Sequence, residues 1–214
     1  MNIENSMRFI YVVDPMCAWC YGFAPELAAF LQQHSEIQVD WIMGGLAPDN
    51  DQPMDESLRN AIAGYWQQIE QRTQVSFNHD YWQLNTPYRS TYPACRAVIA
   101  AETLNPNSAK HMVKAIQSAY YQKAQNPSLQ QTLVECAVSI GLDSAEFEKV
   151  LLSAETENQL QQHLGLVQQL RVSGFPALFY VNDNNEAFAL ALGFCEVGDL
   201  EERFNKCKNN NAWQ

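Results

Sequence analysis

Positive charge is scarce in this chain. Its 214 residues carry 13 Lys and Arg against 24 Asp and Glu, a formal net charge of −11. So few cations cannot neutralise a run of phosphates, which excludes nucleic acid as a main partner. No basic cluster is present to hold an anionic membrane surface. Long apolar runs are missing too, and nothing approaches the roughly 20 residues that span a bilayer. The opening Met1-Asn2-Ile3-Glu4-Asn5-Ser6-Met7-Arg8 lacks the cationic start and apolar run of a secretory signal, so a cytoplasmic protein is expected. Histidine is also sparse. His34, His79, His111 and His163 are scattered without ligand spacing, and they make neither a zinc set with the cysteines nor a triad with a serine or cysteine.

What the chain does have is a sizeable apolar fraction, 47%, and enough length to bury a core without staples. It also has six cysteines: Cys17, Cys20, Cys95, Cys136, Cys195 and Cys207. In a chain without a leader, these do not read as a disulfide framework. Cys95 and Cys136 lie in apolar surroundings and read as core thiols, and Cys195 and Cys207 have no close partner in sequence. Cys17 and Cys20 differ from all of these. They stand in Asp14-Pro15-Met16-Cys17-Ala18-Trp19-Cys20, after the apolar run Phe9-Ile10-Tyr11-Val12-Val13 and before a helical pattern from Tyr21 to Gln33.

Strand, turn, cysteine at the start of a helix is the setting in which Cys-x-x-Cys is a redox pair. At a helix N-terminus, unpaired N–H groups and the helix dipole stabilise an anion on Cys17. Cys20 lies one turn further in, on the same face and close enough to bond to it. Cys17 is therefore the expected nucleophile, and Cys20 resolves the mixed disulfide. The competing explanations are a zinc site, which would need two further ligands, and a pair of ordinary buried cysteines.

Along the chain, Met7 to Val13 and Ile37 to Met43 read as strands around a helix from about Cys17 to Gln33, one parallel βαβ unit. Pro25 inside that helix implies a bend. From Pro53 to Arg171 almost nothing is strand-like. Helices are expected over Met54–Arg72, Thr91–Leu104, from Asn105-Pro106 to Ala124, from Asn126-Pro127 to Gly141, Ser144–Leu152 and Ala154–Leu170, with a covering loop from Thr73 to Ser90. A hairpin follows, Ala177–Val181 and Glu186–Leu192 about an Asn-rich turn. A terminal helix from Val197 to Lys206 precedes an Asn tail expected to fray. The sum is an α/β chain with the element order of a thioredoxin fold and a large all-helical insertion after the second strand. The expected boundaries are residues 1–50 and 172–214 for a discontinuous thioredoxin-fold domain and 51–171 for the inserted subdomain.

Four motifs carry a more specific likeness: Asp14-Pro15-Met16-Cys17-Ala18-Trp19-Cys20-Tyr21-Gly22-Phe23, Met43-Gly44-Gly45-Leu46, Pro93-Ala94-Cys95-Arg96-Ala97 and Gly174-Phe175-Pro176-Ala177. With these the chain resembles the DsbA family of thiol–disulfide oxidoreductases, in its FrnE-like, protein-disulfide-isomerase branch. The resemblance implies a cis Pro176 facing the cysteines, an exposed nucleophilic Cys17, and a helical block shaping a cleft above it. The Phe175 backbone would then be free to pair with an extended substrate, and Trp19 is either a substrate contact or packing against the inserted helices. The dipeptide between the cysteines is Ala18-Trp19, not the Pro-His typical of the strongly oxidising periplasmic members, so the disulfide is expected to be less oxidising. Tyr11 stands where many relatives bury a carboxylate, which leaves Asp14 or water to move the Cys20 proton, unless Asp14 is only a turn residue. Aromatic residues of the insertion, Tyr65-Trp66, Tyr81-Trp82 and Tyr88, read as core, with a peptide groove as the alternative.

The expected function is thiol–disulfide exchange on protein or small-thiol substrates. No bound cofactor is needed, because the cysteine pair is the redox group. Glutathione fits as co-substrate, and a separate recycling partner is required. The alternatives are a kappa-type glutathione transferase or 2-hydroxychromene-2-carboxylate isomerase-like enzyme, and a non-catalytic redox-sensing binding module.

Overall fold

The computed structural model describes residues 7–211, with side chains to residue 208. Four strands, β1 (Arg8–Val13), β2 (Gln38–Met43), β3 (Ala177–Val181) and β4 (Ala187–Leu192), form one sheet in the order β2-β1-β3-β4. β1 pairs parallel with β2 and antiparallel with β3, and β3 and β4 form the antiparallel hairpin.

The period-2 geometry of β1 sorts its side chains onto two cores. Phe9, Tyr11 and Val13 point into the larger one, which continues under α1 (Ala18–Gln33) and the terminal α9 (Val197–Asn211). Ile10 and Val12 point the other way, into a smaller cluster with Ile42, Phe179 and Val167. Val167 belongs to α8 (Ala154–Gln169), which closes that face. A strand buried on both faces must be apolar throughout, and this is why Phe9–Val13 is an unbroken apolar run.

The block between β2 and β3 is helical: α2 (Glu56–Thr73), the single turn α3 (Tyr81–Leu84), α4 (Tyr92–Leu104), α5 (Ala109–Gln117), a π-helical turn (Ser118–Gln122), α6 (Gln130–Ser139), α7 (Ser144–Leu151) and α8. Asp55, Asp143 and Ser153 cap α2, α7 and α8, each side chain accepting from a backbone N–H three residues on.

Two expected starts are wrong by about one turn. Asn105 is the C-cap of α4, and the next helix begins only at Ala109. Asn126 folds its side chain onto the Ser128 N–H, making a turn before α6 begins at Gln130. The Asn105 carbonyl accepts the Ser108 N–H and the Asn126 side chain the Ser128 N–H, so each asparagine serves a turn where the sequence suggested a cap. The terminal helix also continues to Asn211, through the segment expected to fray. Within the Thr73–Ser90 stretch, Tyr81 is fully buried.

The aromatics of the insertion form a continuous cluster. Trp66 packs against Phe77 (5.0 Å), Trp82 (4.8 Å), Tyr120 (5.3 Å) and Tyr121 (5.2 Å). Tyr65 is exposed and takes no part. The cluster reaches the thioredoxin half through Tyr21, which stacks on Tyr121 at 4.6 Å and 21°. The π turn presents Tyr120 and Tyr121 together for this contact, and such irregular turns recur near functional sites. Among the described residues, no helix is long and apolar enough to cross a membrane.

Candidate active site

Cys17 is the N-cap of α1, with extended backbone angles and no side-chain cap on the helix. Its N–H donates to the Asp14 carbonyl at 3.0 Å, closing the Asp14–Cys17 turn, and its own carbonyl accepts the first helical bond, from Tyr21 N–H at 3.1 Å. An uncapped helix start leaves backbone donors pointing past the Cys17 sulfur. Cys17 is nonetheless only 7% exposed, and Cys20 is fully buried. The expectation of an exposed Cys17 is corrected here: the residue is buried, with its thiol against the segment before β3. All six cysteines are unpaired.

Across the turn, the peptide bond between Phe175 and Pro176 is cis. The Cys17 thiol approaches the Phe175 carbonyl oxygen at 3.7 Å. That carbonyl is therefore engaged by the Cys17 thiol and not free as expected. Phe175 is held from behind by Gly44. A Cβ at this position would overlap the Phe175 ring, so the glycine is what lets the two segments approach. The Gly44-Gly45 pair ends β2, and it also makes room for this contact.

Asp14 is fully buried and its carboxylate collects donors from three segments. Oδ1 accepts from Met16 N–H at 2.8 Å. Oδ2 accepts from Leu46 N–H at 2.7 Å, the Thr91 hydroxyl at 2.6 Å and the Cys95 thiol at 3.6 Å. These contacts tie the cysteine turn to the loop after β2 and to the start of α4. Burial raises the Asp14 pKa above the usual carboxylate range, and the hydrogen bonds from Thr91, Leu46, Met16 and Cys95 oppose that shift without cancelling it. Burial and then the Asp14 charge push the Cys95 thiol well up, so Cys95 acts as a neutral donor.

Cys20 lies between these groups. Burial first, then contact with the Cys17 sulfur, pushes its thiol well above the ordinary value. The Asp14 N–H favours the thiolate, whereas the Asp14 carboxylate disfavours it. Among the described residues, none of the largest influences on it is a cation. Tyr11 sits beneath the pair, fully buried, its phenol raised by burial and then by the two sulfurs. Trp19 is half-buried and leans on Phe194 at 5.9 Å. Ala18 beside it is also half-buried.

The structure thus brings Cys17, Cys20, Asp14, Phe175 and Pro176 together, with Trp19 on the flank. Sequence reasoning missed Thr91 and the Asp14 contact of Cys95. The only available signal was Cys95 standing four residues after Thr91, one helical turn, which places both on one face.

Residues 9–200 match the family model described as Thioredoxin. The chain belongs to the thioredoxin family. It shares its fold with solved structures of DsbA-type proteins and carries the Cys17–Cys20 pair. A structure from Nitrosomonas europaea assigned as a protein disulfide isomerase superposes with a TM-score of 0.86 at 25% identity, over 96% of this chain and 98% of that one. The cytosolic disulfide reductase DsbM of Pseudomonas aeruginosa shares the fold, with a TM-score of 0.77 at 24% identity over 94% of this chain and 98% of that one. The ClpXP adapter protein SpxH of Halalkalibacterium halodurans is 24% identical over 177 residues, 80% of this chain. The chain spans only 58% of that relative's length.

Proposed function

We propose that this thioredoxin-family chain is a thiol–disulfide reductase acting on small-thiol or protein disulfides, with glutathione as the recycling thiol, in the cytoplasm. One observation supports the direction of electron flow: Ala18 and Trp19 separate the two sulfurs, so no imidazolium stands between them to stabilise a thiolate. Strong oxidants of this superfamily draw their power from a stabilised reduced form. Without that stabilisation the dithiol gives up its electrons more readily.

In the proposed reaction the Cys17 thiolate attacks one sulfur of a substrate disulfide. A Cys17–substrate disulfide forms and the other substrate sulfur leaves as a thiolate, which takes up a proton. Cys20 then loses its proton, attacks the Cys17 sulfur and releases the second substrate thiolate. The substrate has gained two electrons, and the enzyme holds a Cys17–Cys20 disulfide. Two glutathione thiols return it to the dithiol and become glutathione disulfide. On approach, the substrate displaces the Cys17 thiol from the Phe175 carbonyl, which becomes an acceptor for substrate backbone beside Pro176, and Trp19 offers an aromatic wall. A solved structure of the P. aeruginosa protein is described as containing glutathione, which makes that thiol the first to assay.

The reduction potential of the Cys17–Cys20 pair, measured in glutathione buffers, tests the proposal. A value near or below roughly −250 mV is expected, and one near about −120 mV, the range of strong oxidants, overturns it. Saturable glutathione binding with conjugation that survives Cys20→Ser would favour a transferase instead.

The likeness to SpxH supports an adaptor role as a second possibility, in which the cysteine pair senses redox state and the chain holds a protein partner. Capture of one stable partner together with a pair inert toward glutathione would favour it.

A further inference from the structure

A groove of about 1310 Å³ runs along the flank of α1. One wall is α1 itself, from Cys20 past Ala24 and Ala28 to Leu31 and Gln32. From Cys20 to Gln32 this wall is about 18 Å long, at ~1.5 Å per helical residue. The floor is Tyr11 and Trp41 of the sheet, which meet edge to face at 5.1 Å. The facing wall is α5 and the π turn, contributing Lys110, His111, Val113, Lys114, Gln117 and Gln122.

The two ends differ. Toward Cys20 the lining includes Gln122, whose Nε2 donates to the Tyr21 hydroxyl at 3.1 Å, and the segment from Val75 to His79. Lys110 marks the other end, because it also lines the neighbouring cavity together with Leu31 and Ser35; the carboxylates of that cavity are already engaged, Asp40 by Arg8 and Glu102 by the Asn107 and Ala109 N–H groups. Lys110 and Lys114 are exposed, lie one turn apart on the same face of α5, and enter no ion pair among the described residues. His111 stands beside them, exposed. The chain has 24 carboxylates, yet not one lines this groove. In a protein of net charge −11, a carboxylate-free slot with unpaired cations at one end is charge-selective for an anion.

We propose that this groove binds a long-chain carboxylate. The head pairs with Lys110 and Lys114, and the hydrocarbon tail runs along Leu31, Ala28 and Ala24 toward Tyr11. The small side chains of Ala24 and Ala28 leave the slot that a single chain fills. A polar anion would leave the apolar floor wet, and a neutral lipid would leave the lysines unmatched. The groove adjoins the thiol-exchange site through Cys20, which lines its inner end, whereas Cys17 does not line it.

Calorimetric titration of the full chain with hexadecanoate, held below its self-association concentration, tests the proposal. Saturable one-to-one binding is expected, weakening about tenfold when Lys110→Gln and Lys114→Gln are combined, and weakening with added salt. Hexadecanol should bind no better to the parent than hexadecanoate binds to the double variant. Each methylene removed from the tail should weaken binding about fourfold, the equivalent of ~0.8 kcal/mol. Ala28→Trp, at an exposed position, should block the slot, while Cys17→Ser should bind like the parent whatever becomes of the reductase proposal. Failure to saturate, equal affinity of the parent and the lysine double variant, or tighter binding of an acidic peptide than of hexadecanoate would each overturn the proposal.

Discussion

The Cys17 thiol rests 3.7 Å from the carbonyl oxygen of Phe175, a residue 158 positions away in the chain. This contact joins the start of α1 to the segment that leads into β3, and it places the nucleophile where an incoming chain would meet both. The proposed cysteine roles can be tested directly. Cys17→Ser should abolish thiol exchange with glutathione disulfide, and Cys20→Ser should leave the first half-reaction intact and accumulate a mixed disulfide at Cys17. Mass spectrometry of the trapped adduct checks both, and full turnover by Cys17→Ser would contradict the assignment.

Gly44 controls the same contact from the other side. In Gly44→Ala the new methyl overlaps the Phe175 ring, so the ring and its carbonyl must shift. A loss of about 1–3 kcal/mol in stability is expected, as for other overpacked sites. The rate of thiol exchange should change by more than it does for Gly64→Ala, where a Cβ meets nothing. Urea unfolding and exchange kinetics on the two variants make the comparison.

Asp14 should behave as a buried anchor. Asp14→Ala leaves the Met16 and Leu46 N–H groups and the Thr91 hydroxyl without their acceptor. Leaving several buried donors unpaired should cost about 3–5 kcal/mol, and Thr91→Val, which removes one donor, about 1.5–3 kcal/mol. The pH dependence has a definite sign. The folded carboxyl titrates above its ordinary value of 3.8, so the stability linked to its protonated form is present below pH ~4 and is lost as pH rises through the raised folded value. Asp14→Asn lacks this loss. The stability gap between it and the parent should therefore narrow from pH 4 toward pH 7. A gap that widens over that range would show that the ionised form is the favoured one.

His163 gives the opposite slope. Its Nδ1 accepts the Met43 N–H at 3.1 Å, and burial lowers its pKa from 6.5. The neutral ring is the one the fold uses. The stability it contributes is present above pH 6.5 and is lost as pH falls through the lowered folded value. His163→Gln should flatten the parent's loss of stability between pH 7 and pH 5, measured by urea midpoints at the two values.

Much of this was written locally in the chain. The apolar run Phe9–Val13, the break at Asp14-Pro15 and the spacing of Cys17 and Cys20 determined a strand, a turn and a redox pair at a helix start. The hairpin about Asn182–Asn185 and the helical run between β2 and β3 were equally plain, because periodicity and turn chemistry are properties of neighbouring residues. The Asn105-Pro106 and Asn126-Pro127 signals misled by a turn, since an asparagine can hydrogen-bond a turn as readily as it caps a helix. Only the tertiary structure decided what surrounds the sulfurs. Asp14 meets donors at positions 16, 46, 91 and 95, and Phe175 reaches Cys17 from the far end of the insertion. The carboxylate-free groove is assembled from α1, α5 and the sheet. No period in sequence links such positions. The approach of distant segments creates them, and burial then sets which groups stay neutral and which charges stand unpaired.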